Sequence, residues 1–261
     1  MTLLAVRDLT VSIGGTALVD GVSFTLDPGE RLGLIGESGS GKSLTALAVL
    51  GLLPAGATVT GSITLDGQEL VGLGDRRLSA LRGRELAMVF QEPRTALDPL
   101  MRVGRQVAEP LHRHGLLSRR AARARAVDLL ADVGLPDPAH TARAYPHQLS
   151  GGQLQRVGIA AALACEPALL LADEPTTALD VTVQAEILAL LDRLVDERGS
   201  ALVFITHDMA VLARVARRVL VLGKGAVLEE GDLDSVLRSP GHEYTRTLLA
   251  AARAASFRQE V

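Results

Sequence analysis

Aromatic residues make up only 2% of the 261-residue chain, and tryptophan is absent. The core must therefore be built from Leu, Val, Ile and Ala, which the 48% hydrophobic fraction supplies. A single cysteine, Cys165, excludes an internal disulfide framework and fits a reducing compartment. Its Ala-Leu-Ala-Cys setting predicts a small core residue on a buried helix rather than a reactive thiol. Nowhere do 18 or more apolar residues run together, as a membrane-spanning helix requires. The opening Met1-Thr2-Leu3-Leu4-Ala5-Val6-Arg7-Asp8 lacks the basic region and long apolar run of a signal peptide. A net charge of −3 and a pI near 6.1 argue against the broad basic face of an obligatory nucleic-acid binder, though not against a local basic patch, so no nucleic-acid partner is expected.

What is present starts with Gly36-Glu37-Ser38-Gly39-Ser40-Gly41-Lys42-Ser43, a match to the G-x-x-x-x-G-K-[ST] phosphate-loop pattern at every fixed position. Arg31 to Ile35 reads as an apolar strand entering the loop. Leu44 to Leu53 reads as a helix leaving it and stopped by Pro54. Three glycines let backbone N–H groups turn inward toward phosphate oxygens, and the helix N-terminus adds its positive dipole end. In this motif Lys42 reaches the β- and γ-phosphates and the Ser43 hydroxyl ligates magnesium.

Around that loop the first 35 residues read as β-rich. Leu3–Val6, Leu9–Ile13 and Val22–Leu26 are short runs separated by Gly14-Gly15 and Asp27-Pro28-Gly29-Glu30. Ala57 to Leu65 continues as antiparallel strand, and Glu85 to Phe90 as a buried strand ending at Gln91. From Leu97 to Gln148 the pattern is helical and Arg/Ala-rich, with breaks at Pro110, Gly115, Gly134-Leu135-Pro136 and Pro146. Its Arg113, Arg119, Arg120, Arg123 and Arg125 fit a solvated helix face better than an anionic-partner site, because no aromatics interleave for base stacking. From residue 149 an α/β rhythm resumes: strands at 168–172, 201–206 and 219–222, helices at 182–198 and 209–217, and a helical tail from Leu233 to Arg253. Such alternation predicts a parallel sheet with ligands at the carboxyl ends of its strands.

Two further stretches carry chemistry. Ala168-Leu169-Leu170-Leu171-Ala172 is an all-apolar strand that ends in Asp173-Glu174-Pro175. Asp173 is placed to hold magnesium, and Glu174 to orient or deprotonate an attacking water. Leu149-Ser150-Gly151-Gly152-Gln153 opens a second glycine-rich helix, with Ser150 as its N-cap. The chain thus has two anion cradles but only one magnesium and base set. The second cradle is expected to close over a nucleotide held by another subunit.

Together these residues resemble the ATP-binding subunit of an ABC transporter, whose signature sequence Leu149 to Gln153 matches in full. The resemblance covers essentially the whole chain. It implies an α/β P-loop cassette with a RecA-like core, an antiparallel β subdomain and a helical subdomain. Core and β subdomain would take about 1–92 and 149–261, and the helical part about 93–148. It implies ATP and Mg2+ as ligands, with Gly36 to Ser43 and Gln91 at the nucleotide and Ser43, Gln91 and Asp173 at the metal. Lys42, Glu174 and His207 are then catalytic, the last contacting the γ-phosphate. Ser150, Gly151, Gly152 and Gln153 act in trans, and Ala178-Leu179-Asp180 crosses the dimer interface. Where the family stacks adenine on an aromatic residue, this chain has Ile13, which offers apolar contact without π-stacking.

Val89 to Pro99, Asp173 to Val183 and Gly241 to Leu249 are similar to the dipeptide, oligopeptide and nickel uptake branch of that family. That resemblance implies a nucleotide-sandwich dimer whose second ATPase subunit is an identical copy or a related chain, and it favours the related chain. It also implies two membrane permease subunits, an indirect link to an extracytoplasmic solute-binding protein, and a peripheral place on the cytoplasmic face of the inner (plasma) membrane. Members of the branch often carry clustered cysteines near the C-terminus, and their absence up to Val261 makes an iron–sulfur centre unexpected. Import of another solute, export, and a soluble non-transport ATPase remain the alternatives.

Overall fold

The computed structural model describes residues 1–177 and 179–259. In chain order its elements are β1 (Leu4–Ile13), β2 (Thr16–Leu26), β3 (Arg31–Ile35), α1 (Lys42–Leu50), β4 (Ala57–Leu65), β5 (Gln68–Glu69), α2 (Asp75–Leu81) and β6 (Leu86–Val89). There follow α3 (Pro93–Ala96), α4 (Val103–Arg113), α5 (Arg119–Asp132), α6 (Pro138–Thr141), a 3-10 turn at Pro146–Gln148, α7 (Gly151–Ala162), β7 (Leu169–Asp173) and α8 (Val181–Arg198). Last come β8 (Ala201–Thr206), α9 (Met209–Val215), β9 (Arg218–Gly223), β10 (Ala226–Asp232), α10 (Leu233–Arg238) and α11 (Glu243–Gln259). The chain divides into two compact units, one of residues 1–78 with the chain from 201 onward, the other of residues 79–200.

In the first unit β2, β1, β4 and β5 form an antiparallel sheet. Separately, β3 pairs in parallel with both β8 and β9, and β10 closes the edge antiparallel to β9. Leu32 to Ile35 and Ala201 to Thr206 are buried at every position, the pattern of parallel strands covered on both faces. The first strand is one element where the sequence predicts two. Asp8 takes a left-handed φ of 48° and the register shifts between Val6 and Leu9, so the strand kinks without stopping. Helix α1 stops earlier than Pro54 predicts, because Gly51 turns left-handed (φ 62°) and returns its N–H to the Ala48 carbonyl. The tail is two helices rather than one, with Ser239-Pro240-Gly241 between them; Pro240 cannot continue a helix.

In the second unit β6 and β7 pair in parallel, Leu86 opposite Leu169 through Val89 opposite Ala172. Leu169, Leu170 and Leu171 are fully buried, each contributing roughly 1.5–3 kcal/mol of burial free energy. The expected break at Pro110 is absent, since Pro110 lies inside α4. The proline removes one helical hydrogen bond, but buried Val103, Val107 and Leu111 recur every fourth residue and hold that face through it. The strand expected to run to Phe90 ends at Val89, and Phe90 is 38% exposed.

Cys165 also departs from expectation. It sits in the turn beyond α7, half-buried rather than within a helical core. Burial pushes its thiol up to about 11 from an ordinary value of 9.0, with Arg84 opposing and Glu166 reinforcing the shift. Two units of pKa leave about 100-fold less thiolate at a given pH, so iodoacetamide should label folded Cys165 about 100-fold more slowly than the urea-unfolded chain at pH 7.5. Equal labelling rates would show that the thiol is unperturbed.

Candidate nucleotide site

The phosphate-loop side is set within the first unit. Strand β3 delivers the chain to Gly36, where a Cβ would overlap the Leu222 carbonyl of β9, so the close approach requires glycine. Gly41 is the N-cap of α1 with φ 99°, a conformation that other residues rarely adopt. Ser40 and Lys42 are buried, Ser43 is half-buried, and Glu37, Ser38 and Gly39 are exposed. The Lys42 ammonium donates to the Gly36 carbonyl at 2.7 Å, the Glu37 carbonyl at 2.8 Å and Ser40 Oγ at 3.3 Å. The Thr45 hydroxyl donates to the Gly41 carbonyl at 2.9 Å, and Gly225 N–H ties back to the Ser40 carbonyl at 3.2 Å. The loop is therefore shaped by its own hydrogen bonds, with its exposed rim and the N-terminus of a nine-residue helix available to an anion. The helix begins at Lys42, two residues before the sequence places it.

Two other predicted residues belong to this unit. His207 follows β8 and is exposed; Asp208 behind it caps α9, its Oδ1 accepting from the N–H groups of Ala210 and Val211 at 2.8 and 3.3 Å. Ile13 is the last residue of β1, half-buried and registered with Thr16 on β2 and Ala57 on β4.

In the second unit β7, apolar from Leu169 to Ala172, ends in Asp173 and leads to Glu174, two carboxylates of different character. Asp173 is only 6% exposed, while Glu174 is half-buried and takes a left-handed φ of 45°. That turn ends a strand whose every position is buried. Glu174 Oε2 accepts from Gln91 Nε2 at 3.2 Å and from Thr177 Oγ1 at 2.9 Å. The structure thus brings Gln91 and Glu174, 83 residues apart, into direct contact. Two donors on one carboxylate oxygen fix the orientation of the side chain. The sequence pattern does not mark Thr177 as a partner. Its signal is local: Thr177 N–H also donates to the Glu174 carbonyl at 3.2 Å, closing a turn.

The signature stretch opens α7 as the sequence predicts. Ser150 Oγ accepts from Gln153 N–H at 3.3 Å, and Gln153 Oε1 accepts from Ser150 N–H at 2.9 Å, a reciprocal capping box. A Cβ at Gly152 would come within 2.8 Å of Val183 Cγ1 on α8, and one at Gly151 within 3.8 Å of Leu179. Arg156 and Glu186 pair at 2.7 Å between the same two helices. Asp180 caps α8, its Oδ1 accepting from Val183 N–H at 3.0 Å. Ala178, in the same loop, lies outside the described residues.

Arg119, Arg120 and Arg123 are exposed on α5, and Arg125 pairs with Asp128 and Asp132. Arg123 also joins Arg102, Arg105 and Arg143 around a cavity of about 650 Å³ with Leu100, Val127 and Ala142 in its lining. The basic surface is therefore partly concave, which the helical pattern alone does not reveal.

Residues 19–177 match the family profile described as ABC transporter. The chain belongs to the ABC transporter family. It is an ATP-binding cassette of that family, 51% identical over 255 residues to the peptidoglycan transport ATP-binding protein YejF of Agrobacterium fabrum, a match covering 95% of this chain and 47% of that protein. It is 47% identical to the oligopeptide transport ATP-binding protein OppD of Bacillus subtilis, over 95% of this chain and 71% of that one. With the dipeptide transport ATP-binding protein DppD of Escherichia coli it shares 45% identity over 96% and 78%. A solved dimeric cassette in a post-hydrolysis state bound to ADP and Pi superposes with a TM-score of 0.77 at 32% identity, covering 88% of this chain and 98% of that one.

Proposed function

We propose that this cassette hydrolyses ATP to power uptake of small peptides through membrane permease subunits. The observation that supports it most directly is the Gln91–Glu174–Thr177 cluster, an oriented carboxylate at the end of a buried strand. Gly36 to Ser43 take the triphosphate, and Lys42 exchanges its loop carbonyls for phosphate oxygens. Glu174 accepts a proton from the attacking water, and His207 contacts the γ-phosphate. Ile13 gives the adenine an apolar surface.

The donor set of Ser43, Gln91 and Asp173 is a hydroxyl, an amide and one carboxylate, all hard oxygens. Among the described residues no group of three His, Cys, Asp or Glu side chains could hold a metal by itself. A cation that takes few protein carboxylates and completes its shell with water and phosphate fits this set, as magnesium does. Bound there, it neutralises charge on the phosphates.

The cassette works as half of a nucleotide-sandwich dimer with a related ATP-binding subunit, Ser150 to Gln153 closing over the partner's nucleotide and Asp180 lying at the interface. The solved dimeric relatives support that assembly. We divide the chain functionally into a core with its β subdomain at about 1–92 and 149–261 and a helical part at about 93–148. Among the described residues no helix is long and apolar enough to cross a membrane. The proposed attachment to the cytoplasmic face is through two permease subunits. A solute-binding protein outside would act only through them. Peptides are the proposed cargo because the oligopeptide and dipeptide relatives are named for them; none of the relatives described above is named for nickel.

Affinity capture from native membranes with this chain as bait should recover two multi-span subunits and a second cassette. The guanidinia of Arg102, Arg105, Arg123 and Arg143 suit an acidic cytoplasmic segment of a permease. The double change Arg105→Glu and Arg123→Glu should therefore lose the multi-span subunits and keep the second cassette. Ribosomes, DNA complexes or a lone homodimer in the capture would remove the transport assignment and leave the ATPase.

A further inference from the structure

We infer that Tyr244 is a positioning residue for the phosphate loop, fixing from outside the peptide that Lys42 holds from inside. The inference rests on the nucleotide-binding reading above. The Glu37 N–H donates to Tyr244 Oη at 3.0 Å across 207 residues of sequence, while the carbonyl of the same peptide unit, that of Gly36, accepts from Lys42 Nζ at 2.7 Å. The Gly36–Glu37 peptide is thus spanned by an ammonium on one side and a phenol on the other. Its carbonyl and N–H point oppositely, so a peptide flip would break both bonds.

Tyr244 is itself held before it reaches the loop. It lies in the first turn of α11, half-buried. The Glu229 carboxylate on β10 accepts from Gly241 N–H at 2.7 Å and His242 N–H at 3.1 Å, which fixes the segment leading into the helix. His242 Nδ1 accepts from Tyr244 N–H at 3.1 Å. A Cβ at Gly223 would lie 3.6 Å from Tyr244 Cε1, so the ring rests against the end of β9. This chain of contacts links β10, the 241–242 turn and α11 to one peptide of the loop. The consequence is functional: when Lys42 releases the Gly36 carbonyl for a phosphate, the second bond keeps that peptide, and hence the loop's inward N–H groups, in place.

The test is Tyr244→Phe in the full chain, which removes the hydroxyl and keeps the ring. KM for ATP should rise roughly five-fold with kcat within two-fold of wild type, the effect of about one hydrogen bond on binding alone. The dissociation constant of a fluorescent ATP analogue should rise by the same factor, with the thermal midpoint unchanged. An unchanged KM, alone or with a lowered midpoint, overturns the inference and leaves the nucleotide-binding reading standing. Failure of the wild-type chain to bind ATP would overturn that reading first and this one with it.

Discussion

Glu174→Gln should abolish ATP hydrolysis, by about 100-fold to 10,000-fold as the loss of a general base does, while ATP binding stays intact. The change is isosteric and removes only the charge. Glu174 already occupies a left-handed backbone (φ 45°), and Gln suffers the same strain there, so the turn into Thr177 should survive. Thr177 Oγ1 and Gln91 Nε2 both donate to Glu174 Oε2, and the Oε1 of a glutamine could still accept from one of them. What the variant cannot do is take a proton from water. ATP drives dimer closure only through its higher affinity for the closed form, so blocked hydrolysis should leave that form populated. Phosphate release, nucleotide retention after gel filtration and the elution position of the complex report the three parts together. Hydrolysis near the wild-type rate would remove the assigned role and point to another residue as base.

Why Glu174 could be singled out from sequence, and Thr177 and Tyr244 could not, is a matter of range. The apolar run of Leu169 to Leu171 ending in two carboxylates is a contiguous pattern, and burial on both faces of a parallel strand makes it so. The phosphate loop is likewise contiguous, and its glycines answer to local demands such as φ 99° at Gly41. The Glu37–Tyr244 bond joins residues that only the folded β10 and α11 bring together, and no local period encodes it. Short elements were lost for a related reason. β5 has two residues, α3 four and α2 seven, too few for a 2.0 or 3.6 period to show. Pro110 misled in the other direction: a rule about local hydrogen bonding lost to buried Val107 and Leu111 on the same helix face. Cys165 misled because helix α7 ends at Ala162, before the apolar stretch does.

The signature helix allows a sharper test than deletion, because a single substitution can separate the observed capping role of Ser150 from its proposed role at the partner's nucleotide. Its hydroxyl caps α7 by accepting from Gln153 N–H, and the exposed position also suits a phosphate of the partner's nucleotide. Ser150→Ala would remove both, costing about 1 kcal/mol of cap and clouding any loss of activity. Ser150→Asp keeps a cap acceptor of equal quality, and its negative charge suits the N-terminal dipole, so the thermal midpoint should hold. The same carboxylate would face a triphosphate in the closed dimer, where like charges cost several kcal/mol. Hydrolysis should therefore fall about 100-fold or more, and ATP-induced dimerisation with it, since 1.4 kcal/mol is already ten-fold. ATP affinity of the separate chain, which the proposal assigns to Gly36 to Ser43, should not change. A Ser150→Asp chain that hydrolyses ATP normally would reduce Ser150 to a helix cap, and one that loses ATP affinity before dimerising would place the signature helix at the chain's own nucleotide instead.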